Sequence, residues 1–278
     1  MVTIAVLGYG GRGKIYALTA KEMHNDFKIV SVCDTNKEKL AVAKSIHNLS
    51  DDMLFDNTQD FFSKGKIADC LFVCTQDQQH FEHSMKALDL GYDLLLEKPI
   101  TPNIEQTVAI EQKAVEMGRK IVVCHVLRYT QFYKRIKETM DSGVIGDIIA
   151  IEMKENVGYW HQAHSFVRGD WKKCSESAPM ILAKCCHDLD IAVFLTGSEC
   201  KKLSSFGKLH HFKKENAPKG STLRCLDGCK AKESCPYDVE KIYLKPLKFR
   251  PRSAWKTAWP VKGCSERNCY KRRALQSA

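Results

Sequence analysis

Short apolar runs alternate with amphipathic segments of helical period throughout the first half of the sequence. The apolar runs are rich in leucine and β-branched residues, which is typical of parallel strands that are buried on both faces. Strands are predicted at residues 2–8, 27–34, 68–75, 92–97 and 119–126, and helices at residues 14–24, 79–91 and 103–118. Strands that alternate with helices at this spacing predict a doubly wound parallel sheet with right-handed connections, and we place this domain at residues 1–124.

A glycine-rich turn follows the first predicted strand. Gly8, Gly10 and Gly13 have the spacing G-x-G-x-x-G, with a strand before them and a helix after them. Such a turn lets the backbone approach a pyrophosphate closely, and the free N–H groups at the start of the helix face its negative charge. The spacing therefore predicts a dinucleotide site, with an ordinary glycine-rich turn as the alternative.

The second predicted strand ends in Asp34, 21 residues after Gly13. An acid at this place accepts hydrogen bonds from the adenosine ribose hydroxyls and repels a 2′-phosphate, which favours NAD over NADP. Lys37 lies close by in the sequence and could serve a phosphate, so NADP stays open as an alternative cofactor.

Candidate ligand-binding residues gather where the predicted strands end. The residues at or just beyond these carboxyl ends are Gly8, Asp34, Thr75, Glu97 and Arg128. Carboxyl ends meet at one edge of a doubly wound sheet, and ligands bind there. The stretch LLLEKP, residues 94–99, runs a buried strand into this edge. We therefore expect its glutamate and lysine to lie at a ligand site rather than in a solvated turn.

The second half of the sequence contains one strong helical pattern, at residues 180–195. Lys184, His187 and Asp188 lie along one face of this helix at i, i+3 and i+4 spacing. Three ionisable side chains on one face among apolar neighbours indicate a site. The alternative is a surface ion pair between Lys184 and Asp188 beside a histidine that is merely packed.

A polar and aromatic segment at residues 156–171 follows a predicted strand at residues 145–155 and shows neither a helical nor a strand period. Aromatic faces suit the C–H surfaces of a sugar, and His and Arg side chains donate to its hydroxyls. We therefore expect a carbohydrate-like substrate, with a surface loop anchored by its aromatic residues as the alternative. The candidate substrate-binding residues are Trp160, His161, His164, Arg168 and Trp171.

The net charge of +10 is concentrated near the end of the chain. From Lys245 onward the sequence contains ten Lys and Arg residues and one acid, Glu266, so the remainder is close to neutral. The overall charge is therefore no argument for nucleic-acid binding by the body of the protein. A basic segment with Trp255, Trp259 and Tyr270 keeps a nucleic-acid contact open as an alternative, although no recognised module accompanies it.

No apolar run approaches the ~20 residues that span a bilayer, and the first residues lack the features of a secretory signal. A cytoplasmic protein without membrane contact is therefore expected, with most of its thirteen cysteines as reduced thiols. Cys225, Cys229 and Cys235 lie close enough in sequence that Cys264 or Cys269 could complete a tetrahedral zinc site. Zinc, reversible disulfides and reduced thiols all stay open for this cluster.

Three motifs resemble those of the Gfo/Idh/MocA oxidoreductases, the family of glucose–fructose oxidoreductase and inositol dehydrogenase. They are GYGGRG at residues 8–13, CTQDQQHFEHSMKALDLGYDLLLEKP at residues 74–99 and CCHDLDIAVFLTG at residues 185–197. The resemblance implies an N-terminal Rossmann domain and, in residues 125–278, a substrate-binding and dimerisation α/β domain with an open, mostly antiparallel sheet. It also implies hydride transfer between NAD or NADP and a hydroxyl-bearing carbon of a sugar, polyol or cyclitol.

By position, the resemblance makes Lys98 the catalytic lysine and His187 the histidine that faces it, and it places Asp190 on the substrate side. Ala183 stands where the family often has an aspartate, and we expect Lys184 beside it to join a different proton relay. The residues expected to bind the cofactor are Gly8, Tyr9, Gly10, Gly11, Arg12, Gly13, Asp34, Thr75, Gln76, His80, Glu97, Lys98 and Arg128.

Two alternatives to a dehydrogenase stay open. One is a nucleotide-binding regulator or a truncated, inactive member of the family, and the other is a glycoside hydrolase of the same family that retains its NAD. Members of the family usually run past this length, so we expect the second sheet to be incomplete from about residue 245. An uncovered sheet face would favour association into a homo-oligomer.

Overall fold

The computed structural model describes residues 1–243 of the 278-residue chain. The chain divides into two compact units. The first unit consists of Met1–Val144 and Ser177–Ile191, and the second consists of Ile145–Glu176 and the described residues from Ala192 onward. The predicted domain boundary between residues 124 and 125 stays a prediction.

The first unit contains a parallel sheet of six strands in the order β3-β2-β1-β4-β5-β6. Every neighbouring pair is parallel, and the order reverses between β1 and β4, so a crevice opens beyond their carboxyl ends. The prediction of a doubly wound Rossmann sheet is therefore confirmed. The strands are β1 Val2–Leu7, β2 Phe27–Cys33, β3 Leu54–Phe55, β4 Cys70–Val73, β5 Asp93–Leu96 and β6 Ile121–Val123.

Helices connect these strands, and most begin at a residue whose side chain can cap them. Asn36, Asn57 and Asn103 each accept a hydrogen bond from the N–H group three residues later, which satisfies one of the unpaired donors of the first turn. The helices of the first unit are α1 Gly11–Glu22, α2 Lys37–His47, α3 Thr58–Ser63, α4 His80–Asp89, α5 Ile104–Glu116 and α6 Gln131–Asp141.

Two apolar clusters form the core, one on each face of the sheet. Ile4 and Val6 of β1 belong to one cluster, with Ala17 of α1, whereas Ala5 and Leu7 belong to the other. Successive side chains of a strand point to opposite faces, so both faces of β1 are buried. This is why the predicted strands read as continuous apolar runs instead of alternating ones.

The second unit differs from the prediction. Its described residues include the short helices α7 Tyr159–Gln162 and α9 Val239–Tyr243, and a π-helical turn at Ala163–Arg168. The strand predicted at residues 145–155 is wrong, because these residues are irregular and largely exposed, with Ile149 at 92%. An isolated strand has no ladder to satisfy its backbone groups, and no described residue after Val123 is in a strand. The antiparallel second sheet is therefore not confirmed.

Helix α8, Met180–Thr196, begins in the first unit and confirms the helix predicted at residues 180–195. Among the helices of residues 1–243, none is both long enough and apolar enough to cross a membrane.

The glycine turn between β1 and α1 depends on close packing at two of its positions. Gly8 has φ +91°, and a Cβ atom there would lie 2.5 Å from the carbonyl oxygen of Cys74. A Cβ atom at Gly13 would lie 2.0 Å from the carbonyl oxygen of Gly8. Both obstacles are backbone atoms, so neither position tolerates a side chain.

We predict that Gly13→Ala lowers the melting temperature by about 3–10 °C, because an overpacked site costs about 1–3 kcal/mol. Gly11→Ala is the matched control, since no described atom lies within 4 Å of a Cβ atom built at Gly11. Alanine there is expected to leave the melting temperature unchanged or slightly raised. Circular dichroism melts compare the two variants, and equal melting temperatures would contradict the prediction.

Candidate functional site

The glycine turn leaves open space over the start of α1. No described atom lies within 4 Å of a Cβ atom built at Gly10 or Gly11. Among the described side chains none caps this helix, and its first turn contains no acid. The N–H groups at a helix start carry a partial positive charge, so this open end fits the pyrophosphate of a dinucleotide.

Tyr9, which we expected to bind the cofactor, has its side chain in the core. The side chain is 2% exposed, and its hydroxyl lies 2.9 Å from Nε2 of His47. Burial raises the pKa of Tyr9 to about 12. The backbone N–H of Tyr9 donates to Oδ2 of Asp34 at 2.8 Å, and the role of Tyr9 towards a cofactor stays a prediction.

Glu97, just beyond β5, is a buried carboxylate at the centre of a partly buried hydrogen-bond network. Oε1 accepts from the Tyr16 hydroxyl at 2.5 Å and from Nε of Arg12 at 3.1 Å, and Oε2 accepts from the N–H of Lys98 at 3.0 Å. Burial, and then the charge of Glu97, raises the pKa of Tyr16. Glu97 is thus paired with Arg12, one of the residues of the glycine turn, before any ligand binds.

Lys98 connects the edge of the sheet to α8. Its Nζ atom donates to the carbonyl oxygen of Ala183 at 2.9 Å, one helical turn before His187. Burial lowers the pKa of His187 to about 4, and the positive charge of Lys98 adds to this shift. His187 is therefore a neutral imidazole at neutral pH. Its Nδ1 atom is buried without a hydrogen-bond partner among the described residues.

His125 completes the group around His187, and the sequence analysis missed it. It follows β6, and its ring centroid lies 5.9 Å from that of His187 in an edge-to-face arrangement. Burial lowers the pKa of His125 as well, although the nearby Asp190 opposes the shift. His125 lies inside the strand predicted at residues 119–126, so only the structure, in which β6 ends at Val123, shows that it lies beyond the strand end at the same edge as Glu97.

Arg128 and Asp190 bind each other. The Nε and Nη2 atoms of Arg128 donate to the two carboxylate oxygens of Asp190 at 2.7 and 2.6 Å. Asp190 Oδ1 also lies 3.9 Å from Nε2 of His125. Arg128 was predicted to bind the cofactor and Asp190 the substrate. In the structure the two side chains form a bidentate ion pair with each other.

His80 holds the turn that carries Lys98. The side chain is fully buried, with Nδ1 2.9 Å from the carbonyl oxygen of Pro99 and Nε2 3.1 Å from that of Thr75. It therefore ties the end of β4 to the turn after β5. Thr75 contacts Nδ1 of His83 at 3.0 Å through its hydroxyl, and Gln76 is exposed. Their roles towards a cofactor stay predictions.

The candidate substrate residues 160–171 belong to the second unit. Trp160 stacks on His161 with ring centroids 5.4 Å apart, and His164 Nδ1 lies 2.7 Å from the Tyr243 hydroxyl. Arg168 donates to the carbonyl oxygen of Tyr237 and contacts the sulfur of Cys225 at 3.9 Å. Trp171 donates its backbone N–H to the carbonyl oxygen of Ser165. Arg168 thus connects this segment to residues 225–237 of the same unit, and the substrate role of all five residues stays a prediction.

Among residues 1–243, no three His, Cys, Asp or Glu side chains are placed to hold a metal ion. Cys225, Cys229 and Cys235 carry free thiols. Cys264 and Cys269, the candidates for a fourth ligand, lie outside the described residues, as do the aromatic residues of the basic segment, Trp255, Trp259 and Tyr270.

Two family models match this chain. One, described as an oxidoreductase family with an NAD-binding Rossmann fold, matches residues 2–125, and a GFO/IDH/MocA C-terminal domain model matches residues 133–231. The chain is 27% identical over 208 residues to 2,7-anhydro-N-acetylneuraminate hydratase of Escherichia coli K12, covering 74% of this chain and 53% of the relative. It is 27% identical over 218 residues to the NAD⁺-dependent scyllo-inositol 2-dehydrogenase of Bacillus subtilis 168, covering 75% and 58%.

Solved structures share the fold. Scyllo-inositol dehydrogenase from Lactobacillus casei, crystallised with NAD(H) and scyllo-inositol, superposes with a TM-score of 0.60 at 23% identity, covering 71% of this chain and 56% of that one. The WlbA dehydrogenase of Bordetella pertussis, in complex with NADH and UDP-GlcNAcA, gives a TM-score of 0.59 at 19% identity, covering 70% and 57%. The chain spans about half the length of the curated relatives it matches.

The sheet, the glycine turn and the matched family model define an NAD-binding Rossmann domain, as predicted. With both the N-terminal and the C-terminal family models matched, the chain belongs to the Gfo/Idh/MocA family of oxidoreductases.

We predict that Lys98→Met raises the pKa of His187 from about 4 towards, but not to, the ordinary value of 6.5, since burial remains when the charge is removed. The neutral form is favoured in the folded state, so its contribution to stability is present above pH 6.5 and is lost as the pH falls through about 4. NMR titration of the histidine rings measures the shift.

His47 provides an internal control for this titration. Its pKa is also lowered to about 4, by burial and by Lys21, so Lys98→Met should leave it in place. A wild-type His187 that titrates near 6.5 would contradict the arrangement of Lys98 beside a buried imidazole.

Proposed function

We propose that this chain carries the site of an NAD(P)-dependent oxidoreductase that transfers a hydride between nicotinamide and a hydroxyl-bearing carbon of a sugar-, polyol- or cyclitol-like substrate. The observation that supports it most is the pairing of Lys98 with the turn of α8 that carries His187, at the carboxyl edge of the sheet. Bound NAD would supply the hydride acceptor.

The two side chains have complementary abilities in such a reaction. When a hydride leaves the carbon of an alcohol, the hydroxyl proton must leave as well, and a base within hydrogen-bond reach lowers the barrier. The lowered pKa of about 4 keeps His187 neutral, so a ring nitrogen can accept a hydrogen bond from the reacting hydroxyl, although the same shift makes the imidazole a weaker base. The Lys98 amine beside it can hydrogen-bond the oxygen as negative charge develops there.

The neighbouring residues hold these two groups in place. Glu97 accepts the backbone N–H of Lys98, and His80 contacts the carbonyl oxygen of Pro99 on the other side of the turn. His125 packs edge-to-face on His187. Restricting the rotamers of reacting groups raises the fraction of molecules in a productive geometry.

The substrate class rests on the family and on named relatives. The relatives include enzymes named for scyllo-inositol, and a solved neighbour was crystallised with that cyclitol and NAD(H). Carried over to this chain, these names support a polyol-like alcohol. We further propose that the aromatic residues at 160–171 bind it and that the protein self-associates.

One assay distinguishes a dehydrogenase from the two alternative functions, a hydrolase that retains NAD and an inert regulator. A panel of sugars and cyclitols is incubated with and without added NAD, and both NADH and the sugar products are measured. NADH formed in proportion to substrate supports the dehydrogenase. Product without net NADH would support a hydrolase that retains NAD, and cofactor binding without product would support an inert regulator.

We predict that Lys98→Met reduces turnover of the best substrate by about 100-fold or more, because the reacting oxygen loses its hydrogen-bond partner. The NAD dissociation constant should change less than about threefold, since the glycine turn is intact. Lys86→Met is the matched control, because Lys86 forms an exposed ion pair with Glu82 on α4. Unchanged turnover in the Lys98 variant would remove this residue from the mechanism.

A further inference from the structure

Asp34, at the carboxyl end of β2, has no free charge to offer a ligand. Oδ2 accepts the N–H of Tyr9 at 2.8 Å, and Oδ1 accepts the N–H of Asn36 at 2.9 Å. The ammonium of Lys39 bridges both oxygens, at 3.2 Å from Oδ1 and 2.9 Å from Oδ2. The carboxylate itself is buried, with its side chain 7% exposed.

The Lys39 side chain is positioned to keep this contact. It lies on the first turns of α2, where the side chain of Asn36 caps the helix by accepting the N–H of Lys39. The Lys39 side chain is 37% exposed, whereas the side chain of its partner Asp34 is buried. A charge pair with one buried partner is screened less by salt than a pair on the open surface.

An acid at the end of this strand disfavours NADP largely through its negative charge. The 2′-phosphate of NADP carries close to two negative charges at neutral pH, and an unpaired carboxylate repels it. When an ammonium bridges the carboxylate, the pair has no net charge. A phosphate on a ribose bound beside the pair is therefore repelled much less. Discrimination between the two cofactors should therefore be weak here.

We propose that Lys39 determines cofactor specificity in this protein by neutralising Asp34, so that the domain binds both NAD and NADP. The inference rests on the proposed ribose site at Asp34 and is independent of the hydride-transfer activity. It differs from the preference for NAD that the acid alone predicts, because the sequence gives no indication that Lys39 contacts Asp34.

The test measures cofactor binding to the 278-residue chain without any substrate. The dissociation constants of NAD and NADP are determined by isothermal titration calorimetry for the wild type and for Lys39→Met. We expect wild-type constants within about tenfold of each other, and a rise of about tenfold or more for NADP alone in Lys39→Met, as an unpaired charge near a phosphate requires. NAD binding should change less than about threefold, which also shows that the variant is folded.

Two further variants separate neutralisation from other effects. Lys44→Met removes a charge from the same helix, where Lys44 pairs with Asp51 at 2.6 Å, and should leave both constants unchanged. The double variant Lys39→Met/Asp34→Asn removes the carboxylate as well and should regain most of the lost NADP affinity.

Three results would overturn the inference. They are a wild type that binds NAD but not NADP, a Lys39→Met variant with unaltered NADP affinity, and a double variant that binds NADP no better than the single one. A wild type that binds neither cofactor would overturn the ribose site itself. Failure of turnover with both cofactors bound would instead contradict the proposed function and leave the role of Lys39 supported.

Discussion

The hydrogen bond from Lys98 Nζ to the carbonyl oxygen of Ala183 joins two parts of the chain that are far apart in sequence. It lies where β5 ends, and a parallel sheet directs every strand end to the same edge. Because α8 is held at this edge, its histidine becomes buried beside a cation. Burial is the main cause of the lowered pKa of His187, and the positive charge of Lys98 adds to it, so the imidazole is neutral at this edge.

Burial at the same edge also explains why its charged groups occur in pairs. A carboxylate that is taken out of water without partners is strongly disfavoured, so a buried one must be hydrogen-bonded or neutralised. Glu97 has Arg12 and Tyr16 as partners, and Asp190 has Arg128. These pairs also restrict the rotamers of the side chains that form them, and the pair of Glu97 with Arg12 lies at the first turn of α1.

The sequence predicted the architecture of the first unit because its signals are local. Apolar runs, the glycine turn and the helical pattern at residues 180–195 each identify one element without reference to any other. The two-residue strand β3 was missed because Leu54–Phe55 is too short to show a period. The prediction of a strand at residues 145–155 was wrong because a clear alternating pattern is present there but no partner strand among the described residues pairs with it. Such a pattern forms a strand only beside another strand.

Pairings within the site could not be predicted, because they depend on the folded arrangement. Arg128 and Asp190 are 62 residues apart, and nothing in either segment indicates that they meet. His125 stands alone in an apolar run, and a single histidine in such a place has no pattern. Lys39 is one of three lysines among residues 36–44. Only the folded geometry of the capped helix shows that it, and not Lys37 or Lys44, pairs with Asp34.

The ion pairs that exist before a cofactor binds reduce what the cofactor gains from contacting the same side chains. A ligand group that contacts Glu97, Asp34 or Arg128 meets a side chain that already has a partner, so it gains only the difference between the new contact and the old one. The open backbone N–H groups at the start of α1 have no such competitor among the described side chains. Affinity should therefore come mainly from the pyrophosphate at the glycine turn, whereas the paired side chains set the orientation of the bound cofactor.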